Sequence, residues 1–170
     1  MINILILHEL SKNVLTMYGI SKNIKSNYAV ILTPSIGTIK PALIKLEEKG
    51  FITSQRFISK GGRPSRCYAI TEKGKSGLKN ELLSPIPDNP IQFLMNARVR
   101  IYCAEVLSSD DFLYLLKIIK QKTELLMIEA KNLTETDNLG FCPKMVFENL
   151  ACEYKNFYNL LEGIEHACKH

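Results

Sequence analysis

Residues 51–70 break the helical period that governs most of the remaining chain, and that break limits the folds available. Phe51-Ile52-Thr53-Ser54-Gln55-Arg56-Phe57-Ile58 is rich in β-branched and aromatic residues and predicts a strand, as does Arg66-Cys67-Tyr68-Ala69-Ile70. Between them, Ser59-Lys60-Gly61-Gly62-Arg63-Pro64-Ser65 is a glycine-rich turn carrying cations. An isolated hairpin is marginal in water, so this one must pack on the helices that precede it. Those helices are predicted at Ile2–Leu10, at about Tyr18–Ser26 with Tyr18, Ile20 and Ile24 toward a core, and from Ser35 onward. The third follows a turn-like Thr33-Pro34-Ser35, aligns Ile39, Leu43 and Leu46 on one face, and ends at Gly50, a residue that tolerates positive φ. Thr71 is placed to N-cap another helix. Helices followed by a hairpin with a basic tip form the order of a winged helix-turn-helix.

Ser84-Pro85-Ile86-Pro87-Asp88-Asn89-Pro90 holds three prolines in seven residues, which predicts an extended linker. The expected organisation is therefore a winged helix-turn-helix domain over 1–83, a proline-rich linker over 84–90 and a helical domain over 91–170. The fold class is mainly α with a small β-hairpin. In the helical domain, Leu94, Ala97, Ile101 and Ala104 form one stripe. Ser108 or Ser109 caps a helix running to about Leu133, and Pro143 suits the first turn of the last helix. There Phe147, Leu150, Tyr154, Phe157, Leu161 and Ile164 recur at spacings of 3 and 4, the pattern of a packing seam. Two readings fit this seam: a homodimer interface, which is the one expected, or packing within a small bundle.

Charge separates the two halves. Residues 1–83 carry 13 Lys and Arg against 5 Asp and Glu, a balance of +8, whereas residues 84–170 carry 9 against 12, a balance of −3. A basic front half predicts a polyanionic partner. No stretch approaches the roughly 20 apolar residues of a membrane span, and Met1–Leu7 lacks the flanks of a signal peptide, so a cytoplasmic location is expected. Five cysteines without paired spacing fit reduced thiols. No nucleophile or dinucleotide motif is present, and His166-Ala167-Cys168-Lys169-His170 lacks two further fixed ligands. An enzyme, a metal site and a cofactor are accordingly not expected.

The chemistry rests on two basic elements. In the third helix Ser35, Thr38, Lys40 and Lys45 lie off the apolar stripe, positioned to meet base edges or phosphates if that helix enters a major groove. In the hairpin Lys60, Arg63 and Arg66 flank the glycines, where backbone approaches phosphate closely. These residues predict double-stranded DNA as the partner and, with a dimer, a two-fold symmetric operator whose half-sites lie roughly 34 Å apart.

Gly37-Thr38-Ile39-Lys40-Pro41-Ala42-Leu43, its continuation through Lys49-Gly50-Phe51-Ile52, and Gly62-Arg63-Pro64-Ser65-Arg66 with Thr71-Glu72-Lys73-Gly74 resemble the PadR family of transcriptional regulators. The resemblance covers about the first 80 residues. It implies a winged-helix dimer, usually a repressor, whose C-terminal helices mediate dimerisation and in some members help form an effector site. Three positions depart from the family pattern: Lys40 stands before Pro41 in place of an aromatic, Met17-Tyr18-Gly19 shifts a glycine, and Cys67 replaces an aromatic of the return strand. Other readings compatible with the residues are a winged-helix protein–protein adaptor and a replication or partition factor. Cys103, Cys142 and Cys152 are the thiols nearest any effector or redox role.

Overall fold

A computed structural model of the chain describes residues 1–31, 34–58, 62, 64–136 and 138–168. Thr33 of the predicted turn, Ser59, Lys60, Gly61 and Arg63 of the hairpin tip, and Lys169 and His170 lie outside the described residues. The chain divides into two compact units, Met1–Val106 and Leu107–His170.

The first unit is organised around α1 (Ile2–Lys12). Seven consecutive residues, Ile4 to Leu10, are buried, so this helix has no solvent face. It is surrounded by α2 (Met17–Asn27), α3 (Ile36–Glu48), α4 (Glu72–Leu83), α5 (Pro90–Tyr102) and a sheet. Two of its buried residues are polar, and each is satisfied. The Glu9 carboxylate accepts from Asn23 Nδ2 at 2.9 Å and Asn27 Nδ2 at 3.1 Å, both on α2. His8 lies between Tyr28 Oη at 2.6 Å and Glu105 Oε1 at 2.8 Å. A carboxylate only accepts, so Nε2 carries the imidazole proton and Nδ1 accepts from Tyr28. Glu105, in a 3-10 turn at Ala104–Val106, also accepts from Lys12 Nζ at 2.6 Å. Lys12 and His8 hold its carboxyl below the usual range.

The sheet has three antiparallel strands in the order β1 (Leu15–Thr16), β3 (Pro64–Ile70), β2 (Ile52–Ile58). The hairpin predicted from sequence is therefore joined by a third, two-residue strand. Its root is fixed to α4: Thr71 N and Thr71 Oγ1 both donate to Phe51 O, at 3.0 and 3.1 Å, and Thr71 Oγ1 accepts from Gly74 N. A Cβ on Gly74 would stand 1.9 Å from that Phe51 oxygen, and one on Gly77 would stand 2.6 Å from the Phe51 ring. Only glycine lets α4 approach the strand this closely. Gly50, at φ +70°, ends α3 as expected.

The proline segment is extended, but it is held in place. Arg100 of α5 is buried and donates to the carbonyls of Leu82 (2.9 Å), Ser84 and Pro85 (3.3 Å), satisfying acceptors that α4 leaves at its end. Asn89 caps α5 by accepting from Gln92 N, with Pro90 in its first turn. The boundary between compact units thus falls after Val106, later than the prolines, and α5 belongs to the first unit.

The second unit is an antiparallel hairpin of α6 (Ser109–Thr134) and α7 (Phe141–Ala167). Ser108 caps α6 by accepting from Asp111 N, and α7 starts two residues before Pro143. Lys120 pairs with Glu162 at 3.2 Å and Glu165 at 3.1 Å across the two helices. The expectation that the α7 seam forms a dimer interface is corrected here. Tyr154, Phe157 and Leu161 are buried within the chain, and Phe147, Leu150 and Ile164 are half-buried. The same 3 and 4 periodicity serves packing in the helical hairpin.

Burial lowers the His8 pKa from 6.5, with Glu105 opposing in part. The unfolded chain then binds more protons than the folded one just below pH 6.5, so stability falls as pH drops through that value toward the folded pKa. Urea unfolding should give a lower midpoint at pH 5.5 than at 7.5, and His8→Gln should flatten that difference. Equal slopes for both proteins would remove His8 as the cause.

Candidate nucleic-acid interface

α3 buries Ile39, Ala42, Leu43 and Leu46 and exposes its remaining faces. Ser35 is its N-cap, and the Ser35 and Thr38 hydroxyls sit 3.1 Å apart on the exposed first turn. The helix starts at Ile36, directly after Ser35 as expected, and runs through Pro41 without a break in its assignment. Lys40 and Lys45 are both exposed, but they do not share a face. Five residues at about 100° each put them roughly 140° apart around the axis.

Lys40 faces a groove of about 680 Å³. Its walls are Lys40 and Ile44 of α3, Tyr18 in the first turn of α2, and Arg56, Arg66 and Tyr68 of the hairpin strands. Tyr18 was expected in the core, and this is a second correction: it is 73% exposed and lines the groove instead. Its neighbours Ile20 and Ile24 take the core side of α2. Thr16 accepts from Gly19 N and so fixes the turn from which Tyr18 projects.

The electrostatics of the hairpin are unusual. The register sets Arg56 directly across from Arg66, two like charges on one face of an antiparallel pair. Such an arrangement costs stability. Glu47, on α3, offsets part of it: Glu47 Oε2 lies 3.9 Å from Arg66 Nη1, while Oε1 accepts from Ser54 Oγ at 2.6 Å. Glu47 therefore ties the wing to α3 and orients Arg66. Among the described residues, no acidic residue lines the groove to balance Arg56 and Lys40. Sequence reading missed Arg56, because its importance comes from the strand register, which the residues of the turn do not determine uniquely. Of the site residues predicted from sequence, Lys40 and Arg66 meet in the groove, Ser35 and Thr38 adjoin each other at the start of α3, and Lys45 stands apart. Lys60 and Arg63 fall outside the described residues.

The thiols are dispersed. Cys103 is buried beside Tyr28 Oη at 3.8 Å, and burial pushes its pKa up to about 12, the opposite of what a reactive thiolate needs. Cys142 and Cys152 are exposed on α7.

The model of the transcriptional regulator PadR-like family matches residues 6–80, from α1 to α4, and includes every groove residue. Over these residues the chain belongs to the PadR-like family of transcriptional regulators. No curated protein matches it. Similar solved structures include Bacillus subtilis PadR in complex with operator DNA, at 24% identity over 98% of each chain with a TM-score of 0.47. Another is smu.1604c from Streptococcus mutans UA159, at 26% identity over 96% of this chain and 98% of that one, TM-score 0.46. A PadR family transcription regulator from Clostridium difficile R20291 is 30% identical over 47% of this chain and 81% of that one, TM-score 0.42. Among helices of the described residues, none is long and apolar enough to cross a membrane.

The opposed arginines give a direct test. Arg56→Gln removes a repulsion without breaking an ion pair and should raise unfolding stability by about 0.2–1 kcal/mol. Arg66→Gln also deprives Glu47 of its partner and should give a smaller gain or a loss. Denaturant titrations of both variants check this, and a destabilised Arg56→Gln contradicts the account.

Proposed function

We propose that this PadR-like regulator is a sequence-specific repressor that binds duplex DNA as a homodimer. The observation that carries the reading is the opposed Arg56–Arg66 pair, only partly offset by Glu47, which shares with Lys40 a groove bounded by α3 and the wing. A cost in folding stability at such a point is explained by a polyanion that offsets it on binding. With α3 in the major groove, its Lys40 and Ile44 side of this groove faces base edges, and the flanking sugar–phosphate strand is within reach of Arg56, Arg66 and the hydroxyl of Tyr18 on the wing and α2 side. Lys60 and Arg63, which the sequence puts in the turn after β2, add two cations for the next minor groove. Ser35, Thr38 and Lys45 supply further contacts from α3. A protein acting on the chromosome in this way works in the cytoplasm.

Dimerisation is supported by the outward side of the α6–α7 hairpin. Tyr114, Leu125 and Ile128 recur on one face of α6 and are each about half exposed, as are Met145, Val146 and Leu160 of α7. A second copy covering these residues would remove apolar surface from water and set two α3 helices on one two-fold site.

Binding dominated by phosphate contacts should weaken steeply with salt, with a log–log slope of about −0.9 for each contact. A duplex titration from low to moderate salt should show that dependence, and replacing Arg56 and Arg66 together with Gln should make the slope shallower by about 2. A slope unaffected by the double substitution places the phosphate track elsewhere, and a flat wild-type response argues against DNA.

A further inference from the structure

The same face of α3 carries a pattern that phosphate binding does not need. Ile36, Lys40 and Ile44 are four residues apart, so they form one exposed stripe along the helix, each about 6 Å further along the axis and about 40° round. Ile36 is 47% and Ile44 49% exposed, although the core side of α3 is already complete with Ile39, Ala42, Leu43 and Leu46. Both are β-branched and apolar, they bracket a lysine, and Ile44 lines the basic groove together with Arg56 and Arg66. A helix that meets a polyanion gains nothing from isoleucine at a phosphate. In the major groove, the apolar group offered by a base edge is the C5-methyl of thymine, whereas lysine matches the O6 and N7 acceptors of guanine.

We propose that Ile36 and Ile44 are specificity-determining residues that each pack on a thymine methyl group, on either side of the base pair met by Lys40. This assignment rests on the DNA reading given above. Successive bases of a strand are about 3.4 Å apart, so each 6 Å step along α3 corresponds to about two base-pair steps. The preferred half-site therefore contains two thymines about four steps apart, bracketing a guanine–cytosine pair.

The test uses the full-length chain. Duplexes are enriched from a random pool, and each thymine of the enriched site is then replaced singly by 2′-deoxyuridine, which removes only the methyl group. Two positions at the stated spacing should each lose about fourfold in affinity, the worth of one buried methyl group. Ile36→Ala should abolish the deoxyuridine effect at one of these positions and leave the other, and Ile44→Ala should do the reverse. The measurement on the unaltered protein does not depend on how either variant folds. An enriched site that is indifferent to deoxyuridine, or that lacks thymine at this spacing, overturns the assignment while leaving DNA binding intact. Variants that keep the full deoxyuridine effect at both positions do the same. A chain that enriches no duplex overturns the DNA reading, and this assignment falls with it.

Discussion

Because α1 has no face in water, every other element of the first unit has to supply something to it. Its apolar residues, Ile4 to Leu7 and Leu10, would fit many neighbours, but His8 and Glu9 would not. A buried carboxylate costs several kcal/mol unless it is hydrogen-bonded, so Glu9 needs Asn23 and Asn27 and thereby fixes α2 in rotation. His8 needs an acceptor on one nitrogen and a donor on the other, which fixes Tyr28 at the end of α2 and Glu105 beyond α5. Once α2 is set, so is the direction in which its first turn projects Tyr18. The groove beside α3 thus takes part of its shape from polar residues in the core.

The wing follows a similar logic. A hairpin has little hold on its own direction, but here Phe51 is bound by Thr71 and packed against two glycines of α4, and Glu47 binds Ser54 from α3. Those contacts are at the root, so they leave the face with Arg56 and Arg66 to solvent. Stability is concentrated at one end of the hairpin while repulsion remains at the other. A chain shaped by folding stability alone would separate the two arginines. Their opposition makes sense where a ligand supplies negative charge, as the family to which the chain belongs leads one to expect.

Local chemistry made much of this legible in the sequence. Gly50 as a helix terminator, Thr71 and Ser108 as caps, and the two strands all depend on neighbours within a few residues, and each is where the sequence put it. What escaped depends on longer range. The seam on α7 has the same period whether its partner is α6 or another chain, so Tyr154, Phe157 and Leu161 could not be assigned by spacing. The proline segment suggested a boundary, but Arg100, some fifteen residues on, ties it back to α4. Tyr18 was legible as amphipathic but not as to which side it would take, and the two-residue β1 is too short to carry a periodic signal.

The central claim is that the groove between α3 and the wing is where duplex DNA lies, and crosslinking tests it at a single residue. A photoreactive phenylalanine analogue replacing Tyr18, in the groove wall, should crosslink to bound duplex, and excess unlabelled duplex should suppress the product. The same analogue replacing Ile91, which is 79% exposed and not part of the groove, should not crosslink. Equal crosslinking from both positions, or crosslinking from position 91 alone, would contradict the account.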